Sequence, residues 1–101
     1  MHFYTVLVFC TPMQFVFDPA KSALNKEKHG IDFVEAQAFW VGRLGFIIEA
    51  RHAGEMRYAL IGKIDGKVWT AIHTIRKGVF RIISVRRGRP AEVKYYEAQG
   101  D

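Results

Sequence analysis

The stretch Met56–Arg86 reads MRYALIGKIDGKVWTAIHTIRKGVFRIISVR, and its turn signals decide the fold. Asp65-Gly66 sits between two alternating runs, and such a pair accepts the positive φ angles that a tight two-residue hairpin demands. Lys77-Gly78 is a weaker signal of the same kind. The pattern predicts strands over Met56–Ile64, Lys67–Ile75 and Val79–Arg86, preceded by a run from Phe46 to Ala50. Turn length fixes cross-strand partners, so tight turns place Arg57 opposite Thr74 and Thr74 opposite Arg81. The rows that follow on the same face are Ala59, Ile72 and Ile83, then Ile61, Thr70 and Val85. One sheet face is therefore expected to be apolar along most of its length, with a cationic patch at one end.

Upstream of the strands the signals are helical. Gln14 to Phe17 alternates as a short strand does, and Asp18-Pro19 then supplies an N-cap carboxylate and a proline at the first helical position. This helix runs through Lys28 and closes at His29-Gly30. Its apolar side is Leu24 with Ala20 and Ala23, and Lys21, Asn25 and Lys28 share a polar face. Asp32 and Glu35 have capping-box spacing for a second helix. Its apolar stripe is Phe33, Ala36, Phe39 and Trp40, and Gly42 and Gly45 end it. Pro90 opens a short terminal helix through Glu97. The order of strand, two helices, antiparallel meander and helix indicates an α+β fold of two packed layers.

A chain of 101 residues has room for one core. Half of its residues are hydrophobic and a quarter charged, the balance of a globular domain. Its formal charge of +5 favours polyanions, nucleic acid among them, or an acidic protein. The single Cys10 excludes an internal disulfide framework and a multi-cysteine metal site, and fits a reducing cytoplasm. The run His2–Thr11 is too short to span a bilayer and lacks the charged start of a secretory signal. Residues 1–12 are read as a leader from an upstream start codon, or alternatively as an extra edge strand. Residues 13–101 form the single domain.

Metal-ligand spacing is absent, since His29, His52 and His73 fall on different elements. So are a glycine-rich phosphate loop and a nucleophile elbow. The remaining Lys, Arg, His and Glu side chains match what RNA cleavage needs without a cofactor. A base takes the proton of the ribose 2′-hydroxyl, an acid protonates the leaving oxygen, and cations brace the phosphorane. Arginine suits the last role because its planar fork grips phosphate oxygens in pairs. Each candidate also has a plain reading. Asp18 is a helix cap, Lys28 and His29 complement a helix C-terminus, and Glu55 and Arg57 make an ordinary pair on one strand face. Arg87 and Arg89 serve as general electrostatic footprint, while Trp40 and Trp69 belong to the core. A binding module without catalysis, or a subunit whose basic face meets an acidic partner, accounts for the same charge.

From Phe15 onward the order of residues resembles the BrnT family of type II toxin–antitoxin toxins. The resemblance rests on Phe17-Asp18 with Lys21 and Asn25, on Lys28-His29-Gly30, and on Phe33, Ala36 and Phe39. It resumes at Glu55-Met56-Arg57, Gly62 and Gly66, and closes with Arg76, Arg81-Ile82-Ile83-Ser84, Arg86-Arg87, Glu92 and Tyr95 or Tyr96. It implies a RelE-like fold and a growth-inhibiting endoribonuclease with no cofactor or metal. The implied partners are RNA and a BrnA-like ribbon-helix-helix antitoxin, with operator DNA reached only through that antitoxin. A dimer of toxin–antitoxin pairs is the implied assembly. Carried onto this chain, Lys28, His29, Glu55, Arg57 and Arg81 are the catalytic candidates. Lys21, Asn25, Arg76, Arg86 and Arg87 are the RNA-binding ones. His29, Glu55, or a lysine with a depressed pKa each remain open as the general base.

Overall fold

A computed structural model describes residues 14–41, 46–52 and 54–100. The leader reading of residues 1–12, and the helix end at Gly42 and Gly45, lie outside the described residues. Strand β1 (Gln14–Val16) leads into helix α1 (Pro19–His29). A 3-10 turn (Glu35–Gln37) and a short helix α2 (Ala38–Val41) follow. Then come β2 (Phe46–His52), β3 (Glu55–Ile64), β4 (Lys67–Arg76), β5 (Val79–Arg87) and helix α3 (Pro90–Gly100).

The sheet has five strands in the order β1-β5-β4-β3-β2. The meander expected from the turns is present, and β1 adds to its far edge parallel to β5. Asp65 and Lys77 adopt φ of 52° and 50°, with Gly66 and Gly78 at 78° and 80°. Both hairpins are therefore two-residue turns with positive φ at both central positions, matching the twist of the flanking strands.

Register follows the expected arithmetic only part of the way. Tyr58 faces His73, Ala59 faces Ile72 and Ile61 faces Thr70, while Thr74 faces Arg81. A β-bulge then shifts the β4–β5 pairing, so that Ile72 faces Ser84 and Thr70 faces Arg86. The expected partners Ile83 and Val85 are displaced because the bulge inserts one extra residue on β5. Beyond it, Val85 turns to the core face and Arg86 to the other.

The N-terminal helices cover one face of the sheet. Ile31, Phe33, Ala36 and Phe39 pack there against Leu60, Trp69, Ala71, Ile82 and Val85. Asp32 and Glu35 form the expected capping box, with each backbone N–H donating to the other's carboxylate. The long second helix is instead a 3-10 turn followed by one α-helical turn, which still buries Phe33, Ala36 and Phe39.

Helix α1 is turned the opposite way from its hydrophobic pattern. Leu24 is 61% exposed and Ala20 and Ala23 face solvent, while Ser22 and Asn25 are buried. The burial is made possible by hydrogen bonding. The Ser22 hydroxyl accepts from the Phe33 N–H at 2.9 Å. Asn25 donates to the carbonyls of Ile31 and Val85, both at 2.8 Å, and accepts from the Val85 N–H at 3.2 Å.

Helix α3 lies against the other face. Glu92 reaches Thr70 and Arg86, and the Lys63 ammonium sits 5.9 Å from the Tyr96 ring centre. Thr70, Arg86 and Lys63 alternate away from the core residues, so the sheet is flanked by helices on both faces rather than on one. Among the described residues no helix is long and apolar enough to cross a membrane.

Candidate active site on the open sheet face

Among the described residues, the C-terminal helix covers only part of its face. Where it stops, the outer ends of β3, β4 and β5 present Glu55, Arg57, Thr74, Arg76 and Arg81. All of these share a face by strand alternation. Val16 of β1 pairs with Arg81 at the edge of the row.

One carboxylate joins two of the arginines in the row. Glu55 accepts from Arg76 Nη2 at 2.7 Å and from Arg57 Nε at 3.3 Å. These bonds, Arg76 first and Arg57 second, hold the Glu55 carboxyl below its ordinary pKa and keep it ionised. Thr74, only 3% exposed, lies between the arginines and donates its hydroxyl to the Met56 carbonyl at 3.1 Å. Arg81 is exposed and has no acidic partner among the described residues. Two guanidinium groups therefore share a single carboxylate at one end of the sheet, and a third, Arg81, lies on the same face without one. A phosphate diester with spread negative charge is a chemically matched visitor to such a place.

Lys28 and His29 lie elsewhere. They end α1 beside Gly30, which lines a cleft of about 480 Å³ with Ile31, Asp65, Lys67 and Trp69. Thr74 is seven positions along β4 from Lys67, which at about 3.3 Å per residue is roughly 23 Å. The arginine row also lies on the face opposite the N-terminal helices. Lys28 and His29 thus belong to a separate exposed end of α1, with Lys21 farther along the same helix. That cleft lies at their end of the sheet, not at the row.

The remaining candidates divide between the two faces. Asn25, expected as an RNA contact, has both its amide groups engaged with backbone and is buried, clamping α1 to β5. Arg86 donates to both oxygens of Glu92, at 2.7 and 2.9 Å. Glu92 also accepts from the Thr70 hydroxyl and the Arg89 N–H. Chiefly through Arg86, these bonds hold its pKa at about 2, and Arg86 is raised in turn. Arg87 turns to the core face and stacks over Trp69, its guanidinium carbon 5.5 Å from the ring centre.

The organising role of Glu92 was not evident from the charge pattern. Its signal was Pro90 at the first helical position with a glutamate two residues later, where a carboxylate reaches back to the cap N–H. His73 points to the core face rather than to the row. It is fully buried, stacked on Tyr58 and edge-on to Trp40, with Nε2 unpaired and Nδ1 3.4 Å from the Ala71 carbonyl. Burial lowers its pKa and the Ala71 contact opposes that only in part. Among the described residues no group of three or more His, Cys, Asp or Glu is placed to hold a metal ion.

A search among curated proteins finds no match to the chain. A family described as "Ribonuclease toxin, BrnT, of type II toxin-antitoxin system" matches residues 17–92, from the end of β1 to the first turn of α3. That span contains every member of the arginine row, both hairpins and the Arg86–Glu92 pair, and the chain belongs to the BrnT family of ribonuclease toxins of type II toxin–antitoxin systems.

Proposed function

We propose that this chain is a metal-independent endoribonuclease whose catalytic surface is the open sheet face bearing Glu55, Arg57, Arg76 and Arg81. The observation that carries the reading is the exposed Arg81 beside two arginines tied to one ionised carboxylate. Glu55 takes the proton of a ribose 2′-hydroxyl as its oxygen attacks the adjacent phosphorus. The bond from phosphorus to the 5′-oxygen breaks, that oxygen takes a proton from water, and the hydroxide left is neutralised by the proton that Glu55 then releases. Arg57 and Arg81 brace the phosphorane oxygens, and Arg76 follows the RNA backbone while holding Glu55 ionised. The products are a 2′,3′-cyclic phosphate and a 5′-hydroxyl.

A RelE-like fold, a cytoplasmic setting and growth inhibition through RNA cutting complete this reading. So does neutralisation by a BrnA-like ribbon-helix-helix antitoxin, in a dimer of toxin–antitoxin pairs that meets operator DNA only through the antitoxin. Membership of a type II toxin family supports an antitoxin partner and an RNA target. The test is to incubate purified protein with end-labelled RNA in EDTA and to identify the new ends. Cyclic phosphate ends support the mechanism. Ends bearing a 5′-phosphate, or binding without cutting, contradict it.

A further inference from the structure

The backbone ladder between β3 and β4 runs from Ile64–Lys67 to Tyr58–His73. Arg57 lies one step past its last rung. On the β4 side, the segment that carries Arg57 is held by side chains instead. The Thr74 hydroxyl donates to the Met56 carbonyl at 3.1 Å, and Arg76 reaches Glu55 at 2.7 Å. The second contact is exposed on its arginine side and weak in water. The first is part-buried, with Thr74 itself 3% exposed. A hydroxyl in that setting fixes geometry well, since losing it strands a carbonyl without a partner.

The position of Thr74 gives this bond a further consequence. Thr74 pairs directly with Arg81 on β5, the second rung past the bulge that resets the β4–β5 register. The same residue thus touches the Arg57 segment through its side chain and the Arg81 strand through its backbone. We infer that Thr74 is a positioning residue, whose hydroxyl holds Arg57 in register with Arg81 so that both guanidinium groups meet one phosphate. The inference rests on the reading of this face as the catalytic surface. Misplacing one arm of such a pair by about 1 Å costs up to roughly 100-fold in rate without removing any group that touches substrate.

The experiment compares steady-state RNA cleavage by the full chain with Thr74→Val, Thr74→Ser, Arg57→Ala and Arg81→Ala, each checked for folding by circular dichroism. Thr74→Val is expected to lower kcat by roughly 10- to 100-fold with KM changed less than about threefold, and Thr74→Ser to recover most of it. Should the valine variant not fold, Thr74→Cys takes its place, with a weak S–H donor and an intermediate kcat expected. Wild-type kcat in a folded Thr74→Val or Thr74→Cys overturns the inference, as does equal loss in the serine variant, which would assign the effect to the methyl group. If Arg57→Ala and Arg81→Ala cut normally, the reading of the face itself fails. If they are inactive while Thr74→Val cuts like wild type, only the positioning role fails.

Discussion

Arg86 grips both carboxylate oxygens of Glu92, at 2.7 and 2.9 Å, and so fastens the first turn of the C-terminal helix to the sheet face that the N-terminal helices leave open. The pair is partly buried, and the Thr70 hydroxyl and Arg89 N–H complete it. Such a satisfied, charge-assisted set contributes more than a surface ion pair does.

Glu92→Gln should therefore lower stability by roughly 1–3 kcal/mol, read as a shift of the urea midpoint. The wild-type contribution also depends on acid. The folded pKa of about 2 lies below the ordinary 4.5, so the stability is fully present above about 4.5 and is lost as pH falls toward 2. The glutamine variant should lose that part of the acid dependence.

Asn25→Ala should cost roughly 2–4 kcal/mol, because it removes three hydrogen bonds and strands buried backbone groups of Ile31 and Val85. Leu24→Ser, on the exposed side of the same helix, should stay within about 0.5 kcal/mol. Equal losses in the two variants would contradict the inverted orientation of α1.

His73 predicts a second pH dependence. Burial places its folded pKa below the ordinary 6.5, so its neutral form is the one that fits the aromatic cluster. Its contribution is complete above about 6.5 and declines as pH falls through that value toward the lower folded pKa. Denaturation midpoints between pH 7.5 and 5 should fall for the wild type, and His73→Leu should flatten the slope whatever its absolute stability.

Much of this architecture was legible in the sequence because the deciding signals are local. Asp65-Gly66 and Lys77-Gly78 adopt the positive φ their turns require, and Asp18, Gly30 and the Asp32–Glu35 box cap as their types dictate. Turn arithmetic brought Thr74 opposite Arg81. It lost the next rows because nothing in Ile82-Ile83-Ser84 marks a bulge. Helix α1 was misread because hydrophobic periodicity assumes that burial is driven by apolar area. Here Ser22 and Asn25 are buried to serve backbone groups far away in sequence, and no local pattern encodes that. The resemblance groups Lys28 and His29 with the sheet arginines, and the fold sets these two at the end of α1.

The most direct test of the central claim is cleavage of one defined RNA by the wild type, Arg81→Ala and His29→Ala under identical conditions. With the catalytic face on the open sheet, Arg81→Ala should lose about 100-fold or more in kcat/KM, the scale of a lost transition-state donor. His29→Ala should stay within about threefold. Unchanged cutting by Arg81→Ala together with loss in His29→Ala would move the site to the end of α1 and contradict the account.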